Sequence, residues 1–338
     1  MNKIIKACNF EKQKTPPIWL MRQAGRYLPE YREIRSTQKD FLAMCYNSKI
    51  SSEITLQPIK RFGFDAAIIF SDILVIPHNL GVKIIFEDNV GPIVEKIDSL
   101  DRIKQFKNHG YLENVYDSVS LTRSKLDKEK SLIGFAGSPW TVVSYLLDEK
   151  NKKDFVESRK KIYRDDKIVQ VLIEILTQET ISYLKNKIIA GADLVQLFDS
   201  WCGVLSEDDF EELVIKPTAK IVKEIKKDFP NIPIIGFPKG AGYLYENYIN
   251  KTGINVVGVD YTVPISVMQK FQDKITVQGN LDPVIMLCNK NILEERIKNI
   301  MDSLSEKPFI FNLGHGILPA TPIENVEFLV NYIRNYEK

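Results

Sequence analysis

Short apolar runs that alternate with helical segments predict a (β/α)8, or TIM, barrel spanning residues 1–338 as a single domain. Eight runs rich in Ile, Val, Leu and Phe recur: Ile18–Met21, Ala66–Phe70, Leu132–Ala136, Leu194–Phe198, Ile234–Phe237, Val256–Val259, Ile275–Val277 and Phe309–Leu313. They are apolar throughout instead of alternating. Strands of a parallel sheet buried on both faces have that composition. The segments between them mostly repeat apolar residues at helical spacing. Val169–Ile188 and Ile215–Phe229 are long examples, with Lys and Glu on the polar side. A doubly wound open sheet is the structural alternative. It would usually show a G-x-G-x-x-G turn after its first strand, and none is present.

The spacing is uneven after the second run. Val82–Phe86 and Gly91–Val94 flank the polar stretch Glu87-Asp88-Asn89, which predicts a β-hairpin inserted outside the barrel. The charged stretch Asp148–Asp166 reads as solvated helix and loop.

Composition narrows the partners. The chain is 44% hydrophobic and 27% charged, with ample apolar material for a large core. A net charge of +2 gives no global field for nucleic acid, so any anion site must be local. Four scattered cysteines without a C-x-x-C pair fit a reducing compartment. The amino terminus has no apolar h-region, and no run approaches the ~18 residues of a membrane span. The expectation is a soluble cytoplasmic protein.

Barrel chemistry collects at the carboxyl ends of the strands. In order, the runs end in Arg22 and Arg26; Ser71-Asp72; Gly137-Ser138-Pro139; Asp199-Ser200; Lys239-Gly240; Asp260-Tyr261; Gln278, Asn280 and Asp282; and His315 between Gly314 and Gly316. A lone Arg is ordinarily a surface charge. If the turn after Met21 is helical, however, Arg22 and Arg26 share one face. Arg suits bidentate carboxylate recognition, and Gly25 would let a ligand approach closely. Asp72 serves equally as a helix N-cap or as a functional carboxylate. Ser138-Pro139 reads as an N-cap followed by Pro at the first helical position, which puts Tyr145 two turns in, where an aromatic is ordinarily core. Ser200 could cap the next helix. His315 is hard to explain by packing and is expected to be exposed at the mouth. His78 and His109 read as incidental.

No metal is expected, for there is no H-E-x-x-H and no close His/Cys cluster. Cys202 reads as a buried thiol. Lys239-Gly240-Ala241-Gly242 lacks P-loop spacing, and a turn is a poor place to desolvate a Schiff-base lysine. The residues alone therefore suggest an enzyme acting on a polycarboxylate or another anion. They do not identify the reaction.

Eight stretches in order resemble the motifs of uroporphyrinogen decarboxylases: PIWLMRQAGRYLPEYRE, FSDILVIP, GFAGSPWTVVSYLL, ADLVQLFDSW, IIGFPKGAG, VVGVDYTVP, QGNLDP and NLGHGILP. The resemblance runs from about Pro17 to about Pro319. Trp201-Cys202 departs from the residues that often follow the Ser in that family. The resemblance implies a cofactor-free (β/α)8 homodimer that removes carbon dioxide from four acetate side chains of uroporphyrinogen, giving coproporphyrinogen in haem synthesis. It assigns substrate contacts to Arg22, Gln23, Ala24, Gly25, Arg26, Asp72, Tyr145, Ser200 and His315, with Phe198 packed near the macrocycle. Asp72 is the expected catalytic carboxylate, stabilising a pyrrole cation, with Arg22, Tyr145 and His315 beside it. The proton donor stays open between an arginine, acting through water or a substrate carboxylate, and His315. The enzyme alternative is a zinc- or corrinoid-dependent methyltransferase of the same superfamily. Such relatives place His and Cys ligands, often as H-x-C, where this chain has Gly236-Phe237-Pro238-Lys239. A non-catalytic tetrapyrrole-binding protein is the other alternative.

Overall fold

A computed structural model describes residues 2–87, 90–148, 154–164 and 166–336. Asp88 and Asn89 of the predicted hairpin turn lie outside the described residues. So do 149–153 and 165 of the charged stretch.

The described strands are β1 (Ala66–Ile68), β2 (Ile84–Glu87), β3 (Gly91–Val94), β4 (Ser131–Gly137), β5 (Leu194–Asp199), β6 (Ile234–Pro238), β7 (Val256–Gly258), β8 (Thr276–Leu281) and β9 (Phe309–Leu313). Seven of them form a curled parallel sheet in the order β1-β4-β5-β6-β7-β8-β9, flanked by helices. Each strand is thus added beside its predecessor, as right-handed β-helix-β units require. β2 and β3 pair antiparallel in a separate sheet, from Ile84 opposite Val94 to Glu87 opposite Gly91.

The first predicted strand, Ile18–Met21, is not one. It makes a single parallel bridge, Ile18 to Phe311. Pro16 and Pro17 have no N–H to offer a ladder. Of the N–H groups that follow, Trp19 reaches the Phe311 carbonyl (3.4 Å) and the others go to side chains. Leu20 donates to Gln23 Oε1 (3.0 Å) and Met21 to Asn312 Oδ1 (3.0 Å). The segment nevertheless touches both edges of the sheet. On the β9 side, Phe311 N–H donates to Pro17 O (2.9 Å). On the β1 side, Ile18 N–H donates to Asp65 Oδ2 and Asp65 N–H donates back to Ile18 O, both 2.9 Å.

Strand residues alternate between two cores, as a period of two demands. Ile235 and Phe237 of β6 join Trp19, Met21, Ala67, Ile133, Phe135 and Ile310. Ile234 joins the larger cluster shared with the helices. Buried polar groups cross the sheet as well. Trp19 Nε1 donates to Gln278 Oε1 on β8 (2.9 Å), and Gln278 Nε2 donates to Gln196 Oε1 on β5 (3.3 Å).

The two long predicted helices occur at Lys167–Ile189 and Lys216–Asp228, the second entered through a π-helical turn at Glu211–Ile215. One lysine of the first leaves the expected polar side. Lys187 is fully buried, donates from Nζ to Phe135 O (2.8 Å) and lies over the Tyr183 ring. Burial holds its pKa well below the usual lysine range.

Trp19→Phe keeps the aromatic volume but leaves the buried Gln278 Oε1 without its donor. The expected cost is about 1–3 kcal/mol, read from urea unfolding. Unchanged stability would show that the bridge to β8 contributes nothing.

Candidate active site

The bridging segment delivers Arg22 to the end of the sheet where the strands terminate. The turn there is not helical, and helix resumes only at Pro29–Ser36. Arg22 takes a left-handed φ of 61°, uncommon for a residue with a Cβ. Helical spacing therefore does not put Arg22 and Arg26 on a common face. Both are exposed, and the Arg26 carbonyl accepts from Arg32 Nη1 at 2.8 Å.

Protein atoms approach closely at Gly316 and leave Gly25 open. A Cβ on Gly25 would meet only the Arg22 carbonyl, at 3.4 Å. A Cβ on Gly316 would collide with Cδ of Arg22, so the arginine shaft lies directly on that glycine. Gln23 faces inward. It is fully buried, its Nε2 donates to Ala66 O (3.0 Å), and its carbonyl accepts from Tyr27 OH (2.7 Å). Its side chain fastens the turn to β1. Ala24 and Gly25 are half-buried in the same turn.

Asp72 follows β1. It is not the N-cap of the helix Val75–Asn79, where Leu74 stands without a side-chain cap; its Oδ1 accepts from Leu74 N–H (2.8 Å) in the turn before that helix. Burial pushes its carboxyl up to about 6, against the opposing pull of Leu74 N–H and Arg22. Tyr145 lies in the helix Pro139–Leu147, half-buried and edge-on to Trp201 (6.2 Å, 67°). Burial raises its phenol pKa. The neighbouring Trp201 indole and Arg22 favour the phenolate, and Asp72 opposes it.

His315 is less exposed than predicted. Its ring stacks on Phe237 of β6 (6.4 Å, 18°), and its Nδ1 is buried without a hydrogen-bond partner. Burial pushes its pKa down to about 3, helped by the charges of Arg22 and Lys239. The imidazole is therefore neutral near pH 7 in the ligand-free protein. It can offer or accept a hydrogen bond. Arg22, Asp72, Tyr145 and His315 thus share one electrostatic neighbourhood, since the Arg22 charge bears on all three others.

Phe198 is half-buried, edge-on to Phe135 (5.5 Å) and Phe237 (6.1 Å). Ser200 caps no helix, because Trp201 holds the position before the turn Cys202–Val204. Ser138 does stand before Pro139, but its hydroxyl makes no capping bond and is buried without a partner. His78 and His109 both stack on Tyr111, which accounts for them by packing. Cys202 is buried, with its thiol pKa raised.

The sequence places Asp199 and Lys239 at strand ends without a site role, and marks Trp201 only as a departure from the family pattern; all three stand at this end of the sheet. Asp199 is buried at the end of β5. Its Oδ1 accepts from Thr141 Oγ1 (2.5 Å), and its Oδ2 has no partner. Burial pushes its carboxyl up to about 7. The charge of such a group cannot be read from sequence, since the residue type is the same whether it is solvated or sealed.

A family model described as Uroporphyrinogen decarboxylase (URO-D) matches residues 1–336. The chain belongs to this family. Relatives named uroporphyrinogen decarboxylase include that of Rickettsia africae (strain ESF-5), 52% identical over 340 residues, covering 100% of this chain and 98% of the relative. That of Rickettsia bellii (strain RML369-C) is 53% identical over 324 residues, covering 95% of each. Among solved structures, a methyltransferase from Methanosarcina mazei superposes with a TM-score of 0.79 at 16% identity, over 98% of this chain and 97% of that one. A B12-independent methionine synthase from Shewanella sp. W3-18-1 gives 0.56 at 12% identity, over 85% and 86%. Those likenesses show the fold alone. Among the described residues, no group of three or more His, Cys, Asp or Glu is placed to hold a metal ion, and no helix is long and apolar enough to cross a membrane.

The Asp199 geometry predicts a pH effect on stability. The folded protein keeps this proton up to about pH 7, whereas an ordinary Asp releases it near 3.8. The stabilising contribution is full below pH 4, falls as pH rises to 7, and is absent above. Asp199→Asn should flatten that fall by up to several kcal/mol in urea unfolding at pH 4.5 and 7.5. Parallel pH dependence in both proteins would place the Asp199 proton elsewhere.

Proposed function

We propose that this chain is a uroporphyrinogen decarboxylase, removing four acetate carboxylates to give coproporphyrinogen and carbon dioxide. The observation that carries the reading is Asp72, a desolvated carboxylate beside Arg22, Tyr145 and His315 in a chain of this family. The scaffold is read as a single (β/α)8 barrel, with Pro17–Trp19 as its eighth stave. The hydrogen bonds of that segment to β9 and to Asp65 support this.

The chemistry follows from the substrate. The pyrrole α-carbon next to the one bearing an acetate arm takes a proton, which makes the ring a cation conjugated with that arm. The bond to the carboxylate breaks, its electron pair flows into the ring, and carbon dioxide leaves. The exocyclic carbon then takes a proton to become methyl, and the ring α-carbon gives up the proton it took, which restores the pyrrole. One proton is consumed for each carbon dioxide released. The ring is its own electron sink, so the step requires neither metal nor organic cofactor.

Ionised Asp72 accepts hydrogen bonds from the pyrrole N–H groups and stabilises the ring cation as it forms. Arg22 and Arg26 hold substrate carboxylates, each charge-assisted bond contributing about 1.5–3 kcal/mol. Arg22 also orders the water through which the proton arrives. Neutral His315 and Tyr145 orient side arms, Ser200 contributes its hydroxyl, and Phe198 packs against the macrocycle.

The working form is read as a cytoplasmic homodimer. Tyr243, Tyr261, Val284 and Leu287 are exposed on the loops after β6, β7 and β8, and offer an apolar face to a second copy. The methyltransferase alternative gains no support from Gly236-Phe237-Pro238-Lys239, which lacks both His and Cys.

Anaerobic incubation with uroporphyrinogen, followed by oxidation and chromatography, should yield coproporphyrin. Folded protein that leaves the octacarboxylate intact would refute the assignment. Asp72→Asn should lower kcat about 10²–10³-fold. In the parent enzyme kcat/KM should fall as pH drops through about 6, where Asp72 takes up its proton. Near-normal turnover in Asp72→Asn would rule out the cation-stabilising role.

A further inference from the structure

The strand end opposite Arg22 carries a second cation. Counting round the sheet through the bridging segment, β6 stands four places from that segment in either direction. Lys239 directly follows β6. Its backbone is fixed, since its N–H donates to Asp199 O (3.0 Å) and its carbonyl accepts from the Cys202 thiol (3.4 Å). Its half-buried side chain reaches inward far enough for its charge to bear on His315, as the charge of Arg22 does.

A half-buried ammonium ordinarily pairs with a carboxylate. Among the described residues, Lys239 has no such partner. Its Nζ lies over the ring of Trp201, 5.8 Å from the centroid, a contact that orients a cation without neutralising it. Neither carboxylate at the neighbouring strand ends pairs with it. Asp260 accepts at Oδ2 from Gly240 N–H (2.7 Å) and Tyr245 OH (3.0 Å). At Oδ1 it accepts from Thr262 N–H (2.9 Å) and Oγ1 (2.5 Å). Asp199 is buried, with Oδ1 bonded to the Thr141 hydroxyl (2.5 Å) and Oδ2 without a partner, Lys239 included.

We propose that Lys239, held over Trp201, is a second carboxylate anchor that grips a substrate side arm on the far side of the macrocycle from Arg22. This rests on the decarboxylase reading for the identity of the ligand. Two cations four strands apart suit a ligand with carboxylates all round its rim. A small monocarboxylate could engage only one of them. A lysine fits a macrocycle that must turn between successive decarboxylations, because its compact charge and rotatable donors accept acetate or propionate arms from several directions. The departure at Trp201 supplies the surface on which that ammonium rests.

The test combines binding and turnover. Oxidised uroporphyrin, which keeps all eight carboxylates, serves as the fluorescence probe in titrations of the parent protein, Lys239→Met and Lys239→Arg at several salt concentrations. Lys239→Met should weaken binding about ten-fold and flatten the salt dependence, while Lys239→Arg recovers most of the loss. With uroporphyrinogen, Lys239→Met should raise KM about ten-fold and leave kcat within about two-fold, as loss of a uniform binding contact does. If the parent protein turns over and Lys239→Met matches it in affinity, salt slope and KM, the anchor is overturned and the decarboxylase reading stands. If the parent protein binds uroporphyrin but releases no carbon dioxide, the decarboxylase reading fails, and the binding data alone decide the anchor. Lys239→Gln replaces the methionine variant if that protein does not fold, and is held to the same outcomes.

Discussion

The mouth of this sheet depends on how one short stretch, Ile18 to Gln23, is fastened. Asp65 clasps Ile18 from the β1 side through a reciprocal pair of bonds. Asn312 on β9 takes the N–H of Met21, and the Met21 carbonyl accepts from Ile317 N–H (2.9 Å) just beyond His315. The stretch carrying the arginine is therefore bonded to the loop carrying the histidine. Gln23 ties the following turn back to Ala66 on β1, and so towards Asp72. Irregular backbone is costly to bury unless its polar groups are paired. Here side chains take the N–H groups of Ile18, Leu20 and Met21 while backbone groups of neighbouring segments meet others, and a segment with one backbone bridge stays fixed.

The fastening sets the electrostatics. Arg22 bears at once on Asp72, Tyr145 and His315. For Asp72 its charge only partly offsets burial, leaving a carboxylate reluctant to ionise. Such a group gains most when a cation develops beside it, because water screens it least. For His315 the same charge adds to burial and keeps the ring neutral, so the mouth gains a hydrogen-bonding group without a third positive charge.

Much of this was legible in the sequence. The strands of a doubly covered parallel sheet must be apolar throughout, so β4, β5, β6 and β9 could be read directly. The residues after them, Asp72 and His315 included, followed from the rule that barrels work at their carboxyl ends. The exceptions share a cause. Ile18–Met21 has strand composition, but three of its four N–H groups find Asp65, Gln23 and Asn312 side chains, and residue type does not announce those bonds. A left-handed φ at Arg22 is invisible to periodicity. His315 was read as exposed because its stacking partner, Phe237, lies far off in sequence. Lys239 was weighed only as a Schiff-base or phosphate lysine, because its lack of a carboxylate partner appears only in the fold.

The most direct test of this account is amide hydrogen exchange in the intact protein at Ile18, Leu20 and Met21. Their N–H groups are held by Asp65, Gln23 and Asn312, so protection should match that of β6 and β9. Exchange at the rate of an open loop would contradict it, leaving Arg22 with no fixed place at the mouth.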